Sequence, residues 1–340
     1  MSAAPPDRPL SEPDAPAARE AGGSARVARE TQGESTLTVI IAFVANLLIA
    51  AAKSVAAVVT GSASMLAEAV HSWADTGNEV FLLIADRRSR RPADGEHPLG
   101  YGREAYVWSM FAAIGLFAVG AGVSITHGIQ ELVHPEPAGD FVVAYVVLAV
   151  AFLLEGFSFL QAARQARAEA KRAEREVLHH VLITSDPTLR AVFAEDAAAL
   201  VGLVVAFGGV LAHQLTGSPV PDAVGSIVVG VVLAVVSLVL VDRNRRFLVG
   251  EAAMPGTRDA VLRHLLTLPQ VERVTYLRLE YVGPRSLYLV ASVDLTGNDR
   301  EETVARRLDE LERAAVRSPA VAGAVFTVST PEEASLQPRA

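Results

Sequence analysis

Long apolar runs separated by polar breaks constrain this chain more than any other feature. A helix rises about 1.5 Å per residue and needs roughly 20 residues to cross a hydrocarbon core. Six stretches meet that length, at about 36–60, 62–86, 104–128, 140–163, 187–213 and 220–242. The second is the least hydrophobic and carries Glu68, His71, Asp75 and Glu79. Asp186 and Pro187 open the fifth as N-cap and first helical residue. The expectation is a mainly α membrane protein with a six-transmembrane-helix bundle.

The connections sort by charge. The loop after the second run holds Arg87, Arg88, Arg90, Arg91 and Arg103. The segment after the fourth holds Arg164, Arg167, Lys171, Arg172 and Arg175, and the sixth is followed by Arg243, Arg245 and Arg246. The links near Gly61, at 134–139 and at 214–220 contain no Lys or Arg. Cytoplasmic loops carry the excess of Lys and Arg, so both termini are expected in the cytoplasm. An even number of spans agrees with that. The helix-forming, charged stretch 161–182 is expected to extend the fourth helix beyond the membrane.

Residues 1–35 are rich in Ala, Pro, Ser, Gly, Glu and Arg and read as a disordered tail; they lack the apolar stretch of a secretory signal. Residues 36–249 form the membrane domain. Residues 250–335 read as a small cytoplasmic α+β domain of order αββαβ, ferredoxin-like, and 336–340 as a tail. In that domain Thr275, Leu277, Leu279 and Tyr281 alternate with Arg278 and Glu280, and Leu287, Leu289, Ala291, Val293 and Leu295 alternate with Ser292 and Asp294. That is the period of a half-buried strand. Roughly 85 residues make a thin core, and dimerisation would help it.

Ionisable groups inside a span are costly, about 2.5–3.5 kcal/mol each at the centre on the insertion scale, and persist when paired, hydrated or used. His71 and Asp75 are four apart, so their side chains share one helical stripe and can converge on one ion. Nitrogen and carboxylate oxygen suit Zn²⁺, with Mn²⁺, Fe²⁺ or Co²⁺ as further choices. The chain has no cysteine, so thiolate ligands are excluded. Two ligands do not complete a tetrahedron, and the fifth run offers Glu195 and Asp196. The alternative for His71 and Asp75 is an internal pair that locks helix packing. Glu68 shares their face, either lining a watery entrance or sitting at the interface. Asn46, Lys53 and Glu155 read as packing or snorkelling residues, and Asp222 as a helix-start residue. Asp94, Glu96 and His97 crowd one loop, either as a peripheral metal site or as a Gly/Pro turn with incidental charges. The net charge of −8 does not suggest a nucleic-acid binder. No His-Glu-x-x-His helix or Walker A loop occurs, so neither a metallohydrolase nor direct ATP drive is expected, and no catalytic cofactor is implied.

The run GSASMLAEAVHSWAD (61–75), followed by DGEHPLGYGREA (94–105), resembles the cation diffusion facilitators. The His-x-x-x-Asp is specific because it arrives with the flanking Gly-Ser and the His-Pro-x-Gly loop. The resemblance covers about 36–335 and implies a proton-coupled metal exporter working as a homodimer through its C-terminal domain. It implies His71 and Asp75 as second-helix ligands and Asp196 as the fifth-helix aspartate. The usual fifth-helix His falls at Val192 here. The Glu195–Asp196 pair looks like the subgroup around zinc transporter 9.

Two further departures from the family pattern matter. His264 is the only His after residue 250, so the C-terminal domain is expected to dimerise without sensing metal through a His cluster. Tyr101 stands where relatives often place a second loop His. The expected mechanism is cytoplasmic binding of Zn²⁺ by His71, Asp75 and Asp196, with Glu195 or water as a fourth ligand. Release on the far side is then followed by reprotonation at His71 and Asp75. The Ala/Val/Arg-rich style fits a bacterial inner membrane. A non-transporting or regulatory scaffold with a vestigial metal site is the rival reading.

Overall fold

The computed structural model describes residues 43–44, 46–135 and 140–338. The expected N-terminal tail, the start of the first apolar run and the last two residues lie outside them. The described residues up to Leu48 belong to one unit, and the chain from Ile49 onward forms another.

Apolar character breaks into helices at α1 (Asn46–Thr60) and then at α2 (Ala63–Ser89), α3 (Glu104–Val133) and α4 (Phe141–Arg172). A short α5 (Val177–Ile183) leads to α6 (Pro187–Thr216) and α7 (Val220–Val249). Among the described residues four of these are long and apolar enough to cross a membrane: α3, α4, α6 and α7. The expected six-span bundle is therefore corrected. The α2 helix has 27 residues, ample for about 40 Å, but Glu68, Asp75, Glu79 and its terminal charges interrupt its apolar character. The described part of α1 is apolar but short.

Local signals set the helix boundaries. Ser62 Oγ accepts from Met65 N at 3.1 Å and Asp140 Oδ1 from Val142 N at 2.9 Å. Asp186 Oδ1 accepts from Thr188 N and Leu189 N at 3.0 and 3.2 Å, ahead of Pro187. At the other ends Gly217 (φ 67°) and Gly250 (φ 112°) take the left-handed conformation that stops α6 and α7. The helix expected to run through 161–182 instead stops at Arg172; Glu174 turns the chain with φ 52°, and α5 follows.

Small residues let the helices close on one another. Ala56, Ala57, Ala69, Ala144, Ala151 and Ala206 are buried in one shared core with Met65, Leu148 and Leu203. Gly128 on α3 and Gly230 on α7 mark a close crossing. A Cβ at Gly128 would sit 2.7 Å from Ile227 Cγ1, and one at Gly230 2.6 Å from Ile125 Cγ1. A π-helical turn at Leu116–Ala121 lies within α3. Leu153 and Phe157 on α4 and Val235 and Leu238 on α7 point outward, an apolar surface suited to lipid.

After Gly250 the chain builds a small mixed-sheet domain from α8 (Pro255–Leu266), β1 (Val271–Gly283), β2 (Ser286–Leu295), α9 (Glu301–Val316) and β3 (Val321–Val328). The sheet order is β1-β2-β3. The β1–β2 pairing is antiparallel, with Leu279 opposite Leu289, and β2–β3 is parallel, with Ala291 opposite Phe326. Leu262, Leu265 and Leu311 from the helices pack on Val274, Leu277, Leu279 and Tyr281. Thr275, expected to face inward with Leu277, does not. The ladder is irregular between Val274 and Tyr276, which moves Val274 into the core instead.

This core continues into the helices. Tyr106 on α3 stacks on Phe247 of α7 with ring centroids 4.9 Å apart, and Phe247 meets Tyr281 edge-on at 5.6 Å. The turn after β1 comes down on the loop before α3. A Cβ on Gly102 would lie 2.5 Å from Val282 O and 2.8 Å from Gly283 Cα.

Candidate metal site among the helices

His71 and Asp75 do share a stripe of α2, with His71 Nε2 3.4 Å from Asp75 Oδ2. The imidazole is fully buried and neither ring nitrogen has a hydrogen-bond partner; Asp75 Oδ1 is buried without one too. A bare buried polar group costs on the order of 1–3 kcal/mol. Bare nitrogen and carboxylate oxygen side by side are the donor set that a divalent transition metal takes.

The two acids of α6 diverge, as adjacent helical residues must. Glu195 is buried and accepts from the Asn78 side-chain amide of α2, while its Oε1 has no partner. Asp196 Oδ2 accepts from Ser158 Oγ on α4 at 2.8 Å. Glu195 thus meets α2 at Asn78, three residues beyond the His71–Asp75 pair, while Asp196 turns to α4. They do not close on the pair: among the described residues, no three His, Asp or Glu side chains stand together as a ready set of ligands. His71 and Asp75 are brought together, and Glu195 and Asp196 face them at a remove.

A residue read from sequence as packing turns out to be a hub. Lys53 on α1 is fully buried, and its Nζ lies 2.9 Å from Glu68 Oε2 and 2.7 Å from Glu155 Oε1. Glu68 therefore neither sits at an interface nor lines an open entrance. It is fully buried and lies against Gly202 of α6, its carboxylate occupying the space that a Cβ there would take. Glu155 comes from α4 and keeps a second, buried oxygen without a partner. The sequence does hold a signal for this trio. Lys53 is the one Lys or Arg in its apolar run, and Glu155 is the one charge in the interior of another. Opposite charges isolated in separate spans are expected to find each other.

The loop with Asp94 and His97 is built as a turn. Asp94 Oδ1 accepts from the backbone N–H of Glu96 and His97 at 3.0 and 2.8 Å, and Oδ2 accepts from Tyr101 OH at 2.7 Å. His97 Nδ1 is 3.7 Å from Asp94 Oδ1, and its ring packs on Tyr101 at 4.0 Å. Tyr101's hydroxyl, then the His97 N–H, hold the Asp94 carboxyl below the usual carboxylate range; the same bond pushes the Tyr101 phenol up. Both Asp94 oxygens are thus engaged in the turn.

Residues 39–249 match the model of the cation efflux transmembrane domain, well over half of the chain. The chain belongs to the cation diffusion facilitator family. It is thus an integral membrane protein of a transporter family rather than an enzyme. Among similar proteins, Metal tolerance protein C4 of Arabidopsis thaliana is 36% identical over 233 residues, covering 68% of this chain and 51% of the relative. The mitochondrial proton-coupled zinc antiporter SLC30A9 of Xenopus laevis is 35% identical over 259 residues, covering 76% and 46%. Magnetosome protein MamM of Magnetospirillum gryphiswaldense is 26% identical over 270 residues, covering 78% of each. This facilitator spans about half the length of the first two relatives.

Proposed function

We propose that this chain carries a divalent transition-metal ion, Zn²⁺, out of the cytoplasm in exchange for protons. The observation that carries the reading is the buried His71–Asp75 pair with its bare nitrogens and oxygen, with Glu195 of α6 held by Asn78 three residues further along α2. His71, Asp75 and Asp196 bind the ion, with Glu195 or water as a fourth ligand. The same donor set would take Mn²⁺, Fe²⁺ or Co²⁺. Similarity to a protein named as a proton-coupled zinc antiporter favours Zn²⁺ and antiport. Ligands must shed protons to bind metal, so His71 and Asp75 couple the two fluxes. The asymmetry of Arg and Lys in the connections supports cytoplasmic termini in a bacterial inner membrane. The C-terminal domain pairs with a second copy. Exposed Tyr276 and Val325 on its sheet are apolar surface that a partner would cover.

The test is Zn²⁺ uptake into proteoliposomes with and without an imposed pH gradient. Asp75→Ala and Asp196→Ala are each expected to abolish gradient-driven uptake. Uptake equal to wild type in either variant overturns the site. The rival, a scaffold with a vestigial site, draws on the failure of three ligands to stand together among the described residues. It predicts no Zn²⁺ bound to the purified protein.

A further inference from the structure

The Lys53 trio bears on how the ligands assemble. Glu155 lies three residues before Ser158 on α4, so the two share the face that reaches Asp196 through the Ser158 hydroxyl. One Glu155 oxygen is held by Lys53 and the other is buried and bare. Lys53 also holds Glu68 Oε2 at 2.9 Å, and Glu68 lies three residues before His71 on one face of α2. The ammonium therefore sits where it can hold a carboxylate back from the candidate ligands.

We propose that Glu155 is a cation ligand contributed by α4, and that Lys53 is a tethered counter-ion from which the arriving cation takes it. This rests on the reading of His71 and Asp75 as the cation site. The physical logic lies in Lys53 having two partners. A buried ion pair broken by loss of one member leaves an uncompensated charge, at a cost of several kcal/mol. Lys53 avoids that because Glu68, 2.9 Å away and equally buried, stays with it when Glu155 leaves. Two acids on one lysine give the ammonium a partner in both states, whereas one would trap it or strand it. With the cation absent, Lys53 also offsets acids that would otherwise repel one another across α2, α4 and α6.

The experiment is calorimetric titration of the purified full chain with Zn²⁺ at fixed pH, alongside thermal unfolding of each variant. Glu155→Gln keeps the shape and an oxygen for Lys53 and is expected to weaken Zn²⁺ binding about 10–100-fold, the range seen when a group supporting a metal site is lost. Glu155→Asp keeps the carboxylate and is expected to recover part of that loss. The double variant Lys53→Met with Glu68→Gln removes one positive and one negative charge and frees Glu155, and is expected to bind Zn²⁺ more tightly than wild type. A trio that merely holds helices together predicts altered unfolding but wild-type affinity in the folded fraction. Wild-type affinity in Glu155→Gln, or no gain in the double variant, overturns the proposal. His71→Ala separates the two readings. If it loses binding while Glu155→Gln does not, only the role of Glu155 falls; if it binds as wild type, the site itself falls.

Discussion

Replacing Gly102 by Ala tests what holds the C-terminal domain against the membrane helices. The added Cβ would stand 2.5 Å from Val282 O and 2.8 Å from Gly283 Cα, about 0.9 Å inside the 3.4 Å at which ordinary contact begins. Both obstacles are backbone, so no side chain can swing aside. Either the β1–β2 turn lifts or the loop before α3 shifts, and overpacking of this kind costs about 1–3 kcal/mol. The neighbouring ion pairs do not set the docking. Arg103 Nη2 lies 2.7 Å from Glu280 Oε1, and Arg285 Nη2 lies 2.9 and 3.2 Å from Glu169 Oε1 and Asp186 Oδ2, but Arg103 is half-exposed and Arg285 largely exposed. Such pairs contribute about 0–1 kcal/mol and weaken in salt. The buried stack of Tyr106, Phe247 and Tyr281 and the bare Gly–Gly approach are the stronger contacts.

Hydrogen exchange read by mass spectrometry on the detergent-purified chain follows the opening. A loss of about 1–3 kcal/mol in local stability speeds exchange roughly 5- to 150-fold. That acceleration is expected in peptides covering 100–106 and 281–287. These include Arg285 N, which donates to Ser185 Oγ at 3.1 Å, and Ala105 N, which donates to Gly102 O. Gly115→Ala is the control, since nothing lies within 4 Å of its Cβ. Unchanged exchange in both peptides of Gly102→Ala refutes the close approach. Equal acceleration of the wild type by 1 M NaCl refutes the ranking of packing over ion pairs.

Asp222 on α7 accepts from Ala63 N at 2.8 Å and from the Ser64 hydroxyl, tying the start of α7 to the start of α2. Asp222→Ala leaves those buried donors bare and is expected to lower stability by about 1–3 kcal/mol, read as a lower unfolding midpoint. Gly230→Ala places a Cβ 3.0 Å from Ile125 N and 3.1 Å from Ala121 O as well as against Ile125 Cγ1. It is expected to destabilise the α3–α7 crossing, whereas Gly122→Ala, with open space around it, is not. Asp94's carboxyl is depressed in the fold, so its contribution to the turn is present above the ordinary aspartate pKa of about 3.9 and fades as the pH falls through the lower folded value. Amide exchange at Glu96 and His97, corrected for intrinsic rates, should rise only below that point; a rise between pH 5 and 7 counts against the assignment.

Much of the site was legible because helical spacing is local. Four residues place His71 over Asp75 whatever else the chain does, and one residue drives Glu195 and Asp196 apart. The number of membrane helices was less legible, because run length was weighed above charge. The second run is long enough, yet it carries charges that break its apolar character. The pairing of Lys53 with Glu68 and Glu155 lies 15 and 102 residues away in sequence, and no local pattern encodes it. What hid Thr275 from the core was a ladder irregularity, invisible to an alternation rule that assumes an unbroken register.

These misses share a cause. Each concerns a charge or a backbone group whose partner is on another element, and for such groups the local residue type states a need without stating who meets it. In a hydrocarbon setting that need is sharp enough to be used in reverse. A lone buried Lys calls for an acid on another helix, and an acid left with one bare buried oxygen calls for a further donor. By that reasoning Lys53 points to Glu155, whose second oxygen is buried and without a partner. The buried His71–Asp75 pair shows the same unmet need, with both ring nitrogens and Asp75 Oδ1 bare.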